Sequence, residues 1–266
     1  MTAGAGGGMA RLVPAVGRRR RGRWLWRADR PRVWAHRGAS AHATENTVAA
    51  FERAVADGAD GVELDVMRCA TGEVVVFHDD DLMRLAGRPA QIETLPWSEL
   101  ARVELAGGTR IPTLEDALVA CGELRVNVEL KSRRPGRGAA LAAGVARAIR
   151  AVAADDRVVV SSFDPLALVQ LHAVAPHLPC AFLFEHAAAR ALRSRAVATL
   201  VGASAVHPEH VLCTPEYVAA WRAQGFAVNV WTVDDPDRLR ALAAAGVDGV
   251  IANDPKAAKA ALAAAG

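Results

Sequence analysis

A chain of 266 residues, 52% of them hydrophobic, can bury one sizeable core, and barrels of alternating strands and helices reach about 250 residues as a single domain. The net charge of +3 is not spread evenly: residues 1–32 hold nine Arg and one Asp, which leaves 23 basic and 28 acidic residues in 33–266. A mildly acidic body argues against nucleic-acid binding, which needs a basic face, and no run approaches the roughly 18–20 apolar residues of a membrane span.

Residues 1–32 read as a basic, disordered leader. Arg18-Arg19-Arg20-Arg21 is followed by Arg23, Trp24, Trp26 and Arg27, a set that could make weak contact with an anionic membrane surface. No apolar segment follows the arginines, so neither a Sec nor a twin-arginine signal is expected. Cys69, Cys121, Cys180 and Cys213 are scattered, with no CxxC and no zinc-ligand spacing. Reduced, buried thiols and a cytoplasmic protein, peripheral to a membrane at most, are the expectation.

From Val33 onward, short β-branched runs alternate with Ala- and Leu-rich helical patterns. Strands are predicted over residues 33–36, 61–67, 73–78, 125–130, 158–163, 181–184, 203–207, 227–233 and 249–253. Helices are predicted over 47–57, 114–121, 141–152, 165–174, 215–224 and 236–245, with Gly58, Gly225 and Gly246 where helix ends favour glycine. This alternation implies a parallel sheet, wound open or closed into a barrel.

Nine strands are one more than an eight-stranded barrel holds. Only residues 68–72 separate the second from the third, whereas a parallel crossover needs about a dozen residues. A hairpin arm above the rim resolves the count. A turn centred on Thr71-Gly72 would set Asp65 opposite His78, both at the mouth, where such barrels place their chemistry.

Polar groups gather at the carboxyl ends of the predicted strands. The first strand ends in His36-Arg37-Gly38, the second carries Glu63 and Asp65, the arm ends in His78-Asp79, and the next carries Glu129 with Lys131 beyond it. Residues two apart share a strand face, so Glu63 pairs with Asp65 and Glu129 with Lys131. Three carboxylates meeting inside one barrel would repel and desolvate each other, and a divalent cation removes the problem; all-oxygen ligation suits Mg²⁺ or Ca²⁺. Two histidines add acid and base, and Arg37 and Lys131 add positive charge, a set suited to phosphoryl chemistry. Each element alone is weak: a single His-Arg-Gly arises by chance, and an ExD pair is more often a salt-bridged edge. Their shared place at strand ends, in this order, carries the weight.

Trp34-Ala-His-Arg-Gly-Ala-Ser40, Thr44-Glu-Asn-Thr47, Gly58-Ala-Asp-Gly-Val-Glu-Leu-Asp-Val66, Val75-Val-Phe-His-Asp79 and Val128-Glu-Leu-Lys131 resemble the successive signatures of glycerophosphodiester phosphodiesterases. Ile111-Pro-Thr-Leu-Glu115, Ser161-Ser-Phe163, Asn229-Val-Trp-Thr-Val233 and Gly246-Val-Asp-Gly-Val-Ile251 resemble later segments of that family. The resemblance runs from residue 33 to about 255. It implies a phosphodiesterase domain over 33–266, folded as an α/β TIM-type (β/α)8 barrel with a hairpin arm at the mouth. It implies His36 and His78 as the acid/base pair, and Glu63, Asp65 and Glu129 as ligands of one Mg²⁺ or Ca²⁺, with Glu45 at or near the metal. Arg37 and Lys131 are implied to bind phosphate, and Trp231 resembles the aromatic bordering the substrate pocket. Residues 79–110 correspond to the family's insertion over the mouth, here short and, from Pro89, Pro96, Gly107 and Gly108, mostly loop.

Two departures stand out. The family's Pro before Glu-Asn-Thr is Thr44, which can serve as a helix N-cap, and its Arg-Thr dipeptide after the His-Asp pair is Arg84-Leu85. His172, His177, His186 and His210 read as solvated or packing residues. His207 ends a predicted strand and could reach the mouth, and His42, in place of a family aromatic, could line the pocket.

The expected reaction is metal-dependent hydrolysis of a small-molecule glycerophosphodiester to sn-glycerol 3-phosphate and an alcohol. The first nucleophile is either water or the substrate's own glycerol 2-hydroxyl. A lysophospholipase D acting on lipid diesters is the alternative, supported only by the basic, Trp-containing leader. A non-catalytic phosphodiester-binding barrel should have lost one of His36, His78, Glu63, Asp65 or Glu129, and none is missing. Head-group preference and oligomeric state leave no mark in the sequence.

Overall fold

The computed structural model describes residues 30–132 and 138–264, so most of the predicted leader lies outside the described residues. The strands among them are β1 (Arg32–His36), β2 (Gly61–Arg68), β3 (Val74–Val76), β4 (Arg125–Leu130), β5 (Val158–Ser162), β6 (Cys180–Phe184), β7 (Ala205–Pro208), β8 (Ala227–Val230) and β9 (Gly249–Ala252). Each of the nine predicted strands is present, with ends displaced by no more than a few residues. Eight of them pair in parallel in the order β1-β9-β8-β7-β6-β5-β4-β2, and β1 pairs with β2 to close the ring. The fold is a TIM barrel with β3 as an antiparallel arm on β2.

Period-two alternation sorts each strand between two environments. Val62, Leu64 and Val66 of β2 face the helices and join one aliphatic core with Val126, Val128, Val158, Val160, Val228 and Val230. Their neighbours Glu63 and Asp65 face the barrel interior and line its mouth. A smaller interior cluster holds Trp34, Val159, Ala181, Ala205, Ala227 and Ile251. Trp34 sets the size of what surrounds it. A Cβ on Gly61 would lie 2.5 Å from the indole, and one on Gly249 would lie 2.8 Å from its Nε1, so both positions have room only for glycine.

The helices start where capping chemistry dictates. Asp164, Thr214, Asp235 and Asp254 each accept a backbone N–H at a helix N-terminus and are each followed by Pro, whose fixed φ suits the first helical residue. Helix α1 (Val48–Ala56) is capped by Thr47, not by Thr44. The Thr44 hydroxyl instead donates to the carbonyl of Ala106, 2.9 Å away in the insertion, a contact that a proline could not make.

The arm departs from its predicted register. Val66 faces Val76 and Arg68 faces Val74, so the turn centres on Thr71, and Phe77 N–H donates to the Asp65 carbonyl at 3.0 Å. The predicted two-residue turn is a three-residue loop (70–72) with Gly72 at φ 108, which shifts the pairing by one. His78 thus follows the partner of Asp65 instead of facing it.

Residues 79–110 are more ordered than a loop reading implies. They contain two short helices, α2 (Met83–Ala86) and α3 (Trp97–Leu100), and two 3₁₀ turns. Leu82, Ile92, Leu100, Val103 and Leu105 pack with Met67, Val75 and Phe77 into a separate small core. That packing fixes the insertion against the arm, above one side of the mouth.

Candidate active site

The site is built where strands run out at the mouth. After β1 the chain turns sharply, with Arg37 at φ 56 and Gly38 at φ 82. A non-glycine residue in the left-handed region costs of order 1 kcal/mol and needs a return from its surroundings. Here the turn aims the Arg37 N–H at Glu63 Oε2, 3.1 Å away. Asn46, also at φ 56, is buried and grips Asp65 twice. Its Nδ2 donates to Asp65 Oδ2 at 2.8 Å, and its Oδ1 accepts from the Asp65 N–H at 3.2 Å.

Glu63, Asp65 and Glu129 are all buried, and each offers a carboxylate oxygen within 4.8 Å of the others. Two cations touch this trio. Lys131 Nζ lies 2.6 Å from Glu129 Oε1 and 3.0 Å from Asp65 Oδ1. Arg37 Nε lies 3.3 Å from Asp65 Oδ2, near enough for charge attraction though not aligned as a hydrogen bond. Three negative charges against two positive leave the trio short of positive charge. The protonation preferences follow from this. Burial, then the charges of Asp65 and Glu129, drive the Glu63 carboxyl well above its ordinary range, and burial lifts Glu129 to about 7. Burial would raise Asp65 as well, but Lys131 and Arg37 outweigh it and hold that group at about 2.

This donor set fits a divalent cation. The ligands are hard oxygens, and two atoms each about 2.4 Å from one ion can be no more than about 4.8 Å apart. A divalent charge would also relieve the repulsion that now favours a proton on Glu63. Glu45 is not brought into the trio. Its oxygens are held by guanidiniums, Oε1 by Arg37 at 2.8 Å and Arg84 at 2.6 Å, and Oε2 by Arg84 at 2.9 Å.

The two histidines of the predicted pair reach the same cavity, a space of about 600 Å³ that Glu63, Asp65, Glu129, Arg37 and Lys131 also line. In each, Nδ1 is engaged by a side-chain oxygen. His36 Nδ1 lies 2.7 Å from Asn253 Oδ1, and His78 Nδ1 lies 2.7 Å from Asp79 Oδ1. An ionised carboxylate only accepts, so the His78 proton sits on Nδ1, and Nε2 is the nitrogen left for chemistry. His36 Nε2 lies 3.9 Å from Glu63 Oε2. Burial, and then Arg37, lowers the His36 pKa; burial also lowers that of His78, against the pull of Asp65.

The opposite wall is apolar. Phe163 and Trp231 meet edge to face with centroids 5.5 Å apart, beside Leu183 and Ile251. Trp231 Nε1 donates to the His207 carbonyl at 2.7 Å, which fixes the indole at the rim.

Neither remaining histidine candidate lines the cavity. His42 pairs with Asp254 at 3.0 Å. His207 is buried inside the barrel, where its Nε2 accepts from Asn229 Nδ2 at 3.0 Å. Burial holds its pKa down at about 3. A histidine with a depressed folded-state pKa contributes stability that is present above its unfolded value of about 6.5 and is lost as pH falls toward 3. Acid unfolding of the wild type is therefore expected to steepen below pH 6.5, relative to His207→Gln, by about 1.4 kcal/mol per pH unit. Urea titrations of both proteins between pH 7 and 4.5 check this; parallel slopes would contradict it.

The sequence reading assigned no role to Asn46, Asn253, Asp79 or Arg84. Asn253 could have been flagged by its place at the end of a strand, and Asn46 by the motif around it. Arg84 is marked only as the Arg of the Arg84-Leu85 dipeptide after the His-Asp pair, which does not reveal a partner 39 positions away. All four cysteines are buried and none is in a disulfide, and none of the described helices is long and apolar enough to cross a membrane.

Comparison with known proteins places this geometry among relatives. The glycerophosphoryl diester phosphodiesterase family matches residues 36–257. A glycerophosphodiester phosphodiesterase of Caldanaerobacter subterraneus is 32% identical over 237 residues, which is 84% of this chain and 94% of the relative. An Oleispira antarctica phosphodiesterase, solved with its product sn-glycerol-3-phosphate, superposes with a TM-score of 0.81 at 27% identity, covering 88% of this chain and 97% of that one. A glycerophosphodiester phosphodiesterase from Parabacteroides distasonis gives a TM-score of 0.79 at 26% identity, covering 90% and 99%.

Proposed function

The chain belongs to the glycerophosphoryl diester phosphodiesterase family, and from that premise we propose that it hydrolyses glycerophosphodiesters to sn-glycerol 3-phosphate and an alcohol, using one divalent cation and two histidines. The observation that carries the reading is the meeting, in one cavity, of a buried carboxylate trio, two cations and two imidazoles with tethered Nδ1 atoms.

Glu63, Asp65 and Glu129 would hold Mg²⁺ or Ca²⁺, which when bound supplies Lewis-acid stabilisation of the phosphoryl oxygens. Arg37 and Lys131 stand beside the same carboxylates and offset negative charge on the reacting phosphate. One imidazole Nε2 takes the proton of the attacking hydroxyl as the new P–O bond forms. The other imidazole gives a proton to the departing alcohol oxygen as the old P–O bond breaks. If the attacking group is the glycerol 2-hydroxyl, a cyclic phosphate forms, and water opens it with the proton roles exchanged. Phe163, Leu183 and Trp231 offer an apolar wall for carbon-bound parts of the substrate.

The test is release of sn-glycerol 3-phosphate from glycerophosphocholine by the full chain, in EDTA and after adding Mg²⁺ or Ca²⁺. Activity absent in EDTA and restored by one of the ions is expected. Failure of folded protein to turn over this diester with either ion, joined to turnover of lysophosphatidylcholine, would move the assignment to lipid diesters.

A further inference from the structure

Arg84 stands on α2 of the insertion, and its guanidinium reaches two carboxylates, Asp79 where the insertion leaves the arm and Glu45 in the β1–α1 loop. Its Nε donates to Asp79 Oδ2 at 2.6 Å, and its NH1 and NH2 donate to the two oxygens of Glu45 at 2.9 and 2.6 Å. Asp79 uses its other oxygen to accept from His78 Nδ1 at 2.7 Å. The chain of contacts thus runs His78–Asp79–Arg84–Glu45–Arg37, joining the insertion to one histidine and one cation of the site.

We propose that Asp79 and Arg84 are positioning residues, through which the insertion holds His78 in the Nδ1–H tautomer with Nε2 free toward the cavity. The proposal rests on the reading of His78 as a proton-transfer group, but its structural half can be tested without turnover.

Three features favour a positioning role over an ordinary surface ion pair. First, the two histidines are tethered differently. His36 is held by the neutral amide of Asn253, itself fixed by Asp234 through a backbone contact at 2.7 Å, whereas His78 is held by a charged group one residue away. A carboxylate so close in sequence has a short, mobile tether of its own, and something must fix its rotamer. Second, Arg84 makes that fixation directional: the planar guanidinium spends its Nε on Asp79 and its two terminal nitrogens on Glu45, a fork that a lysine cannot reproduce. Third, the second anchor is not a passive one, since Glu45 Oε1 also receives Arg37 NH1. One carboxylate therefore sets the separation of two guanidiniums, one from the insertion and one from the site.

Thr44 adds a parallel tie. Its hydroxyl joins the β1–α1 loop to Ala106 of the insertion, so the insertion is fastened to this loop at two points, beside Glu45 and through Glu45. The Thr that departs from the family pattern thus reinforces the contact that Arg84 makes.

The test uses the full chain labelled with ¹⁵N-histidine, free of metal. Long-range ¹H–¹⁵N correlations report which nitrogen of His78 carries the proton, with the His78→Gln spectrum giving the assignment. The wild type is expected to show the Nδ1–H form, and Asp79→Ala and Arg84→Ala are expected to show a mixture of tautomers. In the metal-loaded enzyme, Asp79→Ala should lower kcat by about 100-fold and Arg84→Ala by about 10-fold, with KM changed less than about 3-fold. Arg84→Lys should not restore kcat, while Asp79→Asn, whose single acceptor oxygen cannot serve both Arg84 and His78, should turn its amide to His78 Nδ1, favour the Nε2–H tautomer and lose at least as much activity as Asp79→Ala. A His78 that stays Nδ1–H in both alanine variants, with kcat within 2-fold of wild type, would overturn the proposal. If an alanine variant does not fold, Asp79→Asn and Arg84→Lys decide on the same readouts. Absence of turnover in the wild type would remove the reaction proposed above and leave the tautomer result to decide the positioning claim.

Discussion

His36→Ala is expected to lower kcat by about 10² to 10⁴-fold, with a smaller change in KM, measured as sn-glycerol 3-phosphate release under saturating metal. The imidazole is tethered at Nδ1 by Asn253 and presents Nε2 beside the carboxylate trio, 3.9 Å from Glu63. Removing it deletes a proton-transfer group and leaves the charged residues that grip phosphate in place. The loss should therefore fall on the chemical step rather than on binding. Stability should suffer less than from truncating Asp65, because His36 lines the open cavity and its loss strands no buried charge. The His78→Ala variant should behave alike. If the two act in one proton relay, the double variant will lose much less than the product of the two single losses. Retention of more than a tenth of the activity by folded His36→Ala would remove this residue from proton transfer.

Asp65→Ala is expected to have the largest combined effect on stability and activity. Asp65 is 1% exposed and is the hub of the site: Asn46 bonds it twice, Lys131 lies at 3.0 Å and Arg37 at 3.3 Å. Truncating one partner of a buried charged set strands the others, at a cost of about 3–5 kcal/mol. Urea unfolding in EDTA measures that cost without any contribution from bound metal. Activity in Mg²⁺ or Ca²⁺ should fall by at least about 10³-fold, since a ligand and the anchor of both cations go together. Glu63→Gln is the informative contrast. It replaces a carboxyl that without metal already favours its neutral form, so stability in EDTA should be unchanged or higher, while metal-dependent activity is lost. An Asp65→Ala protein as stable in EDTA as wild type would show that Lys131 and Arg37 are satisfied without Asp65, against the geometry described here.

Much of this molecule is legible in its sequence because the signals are local. β-Branched runs alternating with Ala- and Leu-rich stretches fix the order of elements, since strand and helix periodicities differ. Asp-Pro and Thr-Pro pairs mark three of the predicted helix starts, because the cap and the ring each act on their own backbone. Candidate site residues are readable for the same reason. Glu63 and Asp65, or Glu129 and Lys131, sit two apart at strand ends, and the parity of a strand sends each pair to one face.

What only the tertiary structure decided involves either register or distance. The arm slipped by one residue because a three-residue loop and a two-residue turn are both compatible with Ala70-Thr71-Gly72, and the loop adopted is the one closed by Cys69 N–H donating to the Glu73 carbonyl at 3.0 Å. Thr44 looked like a helix cap because Thr caps helices, but Thr47 took that role and freed the Thr44 hydroxyl for the insertion. Glu45 carried a carboxylate in the right motif, yet two guanidiniums claimed its oxygens. Asn253, Asn46 and Arg84 act through partners 217, 19 and 39 residues away, and no periodicity encodes such pairings. The sequence by itself determined the strands, most of the longer helices between them and which strand residues face inward, because each depends on a few neighbouring side chains and the backbone. The closed barrel then decided which of those inward groups meet, because charge and hydrogen bonding act over a few ångströms and only the fold sets those distances.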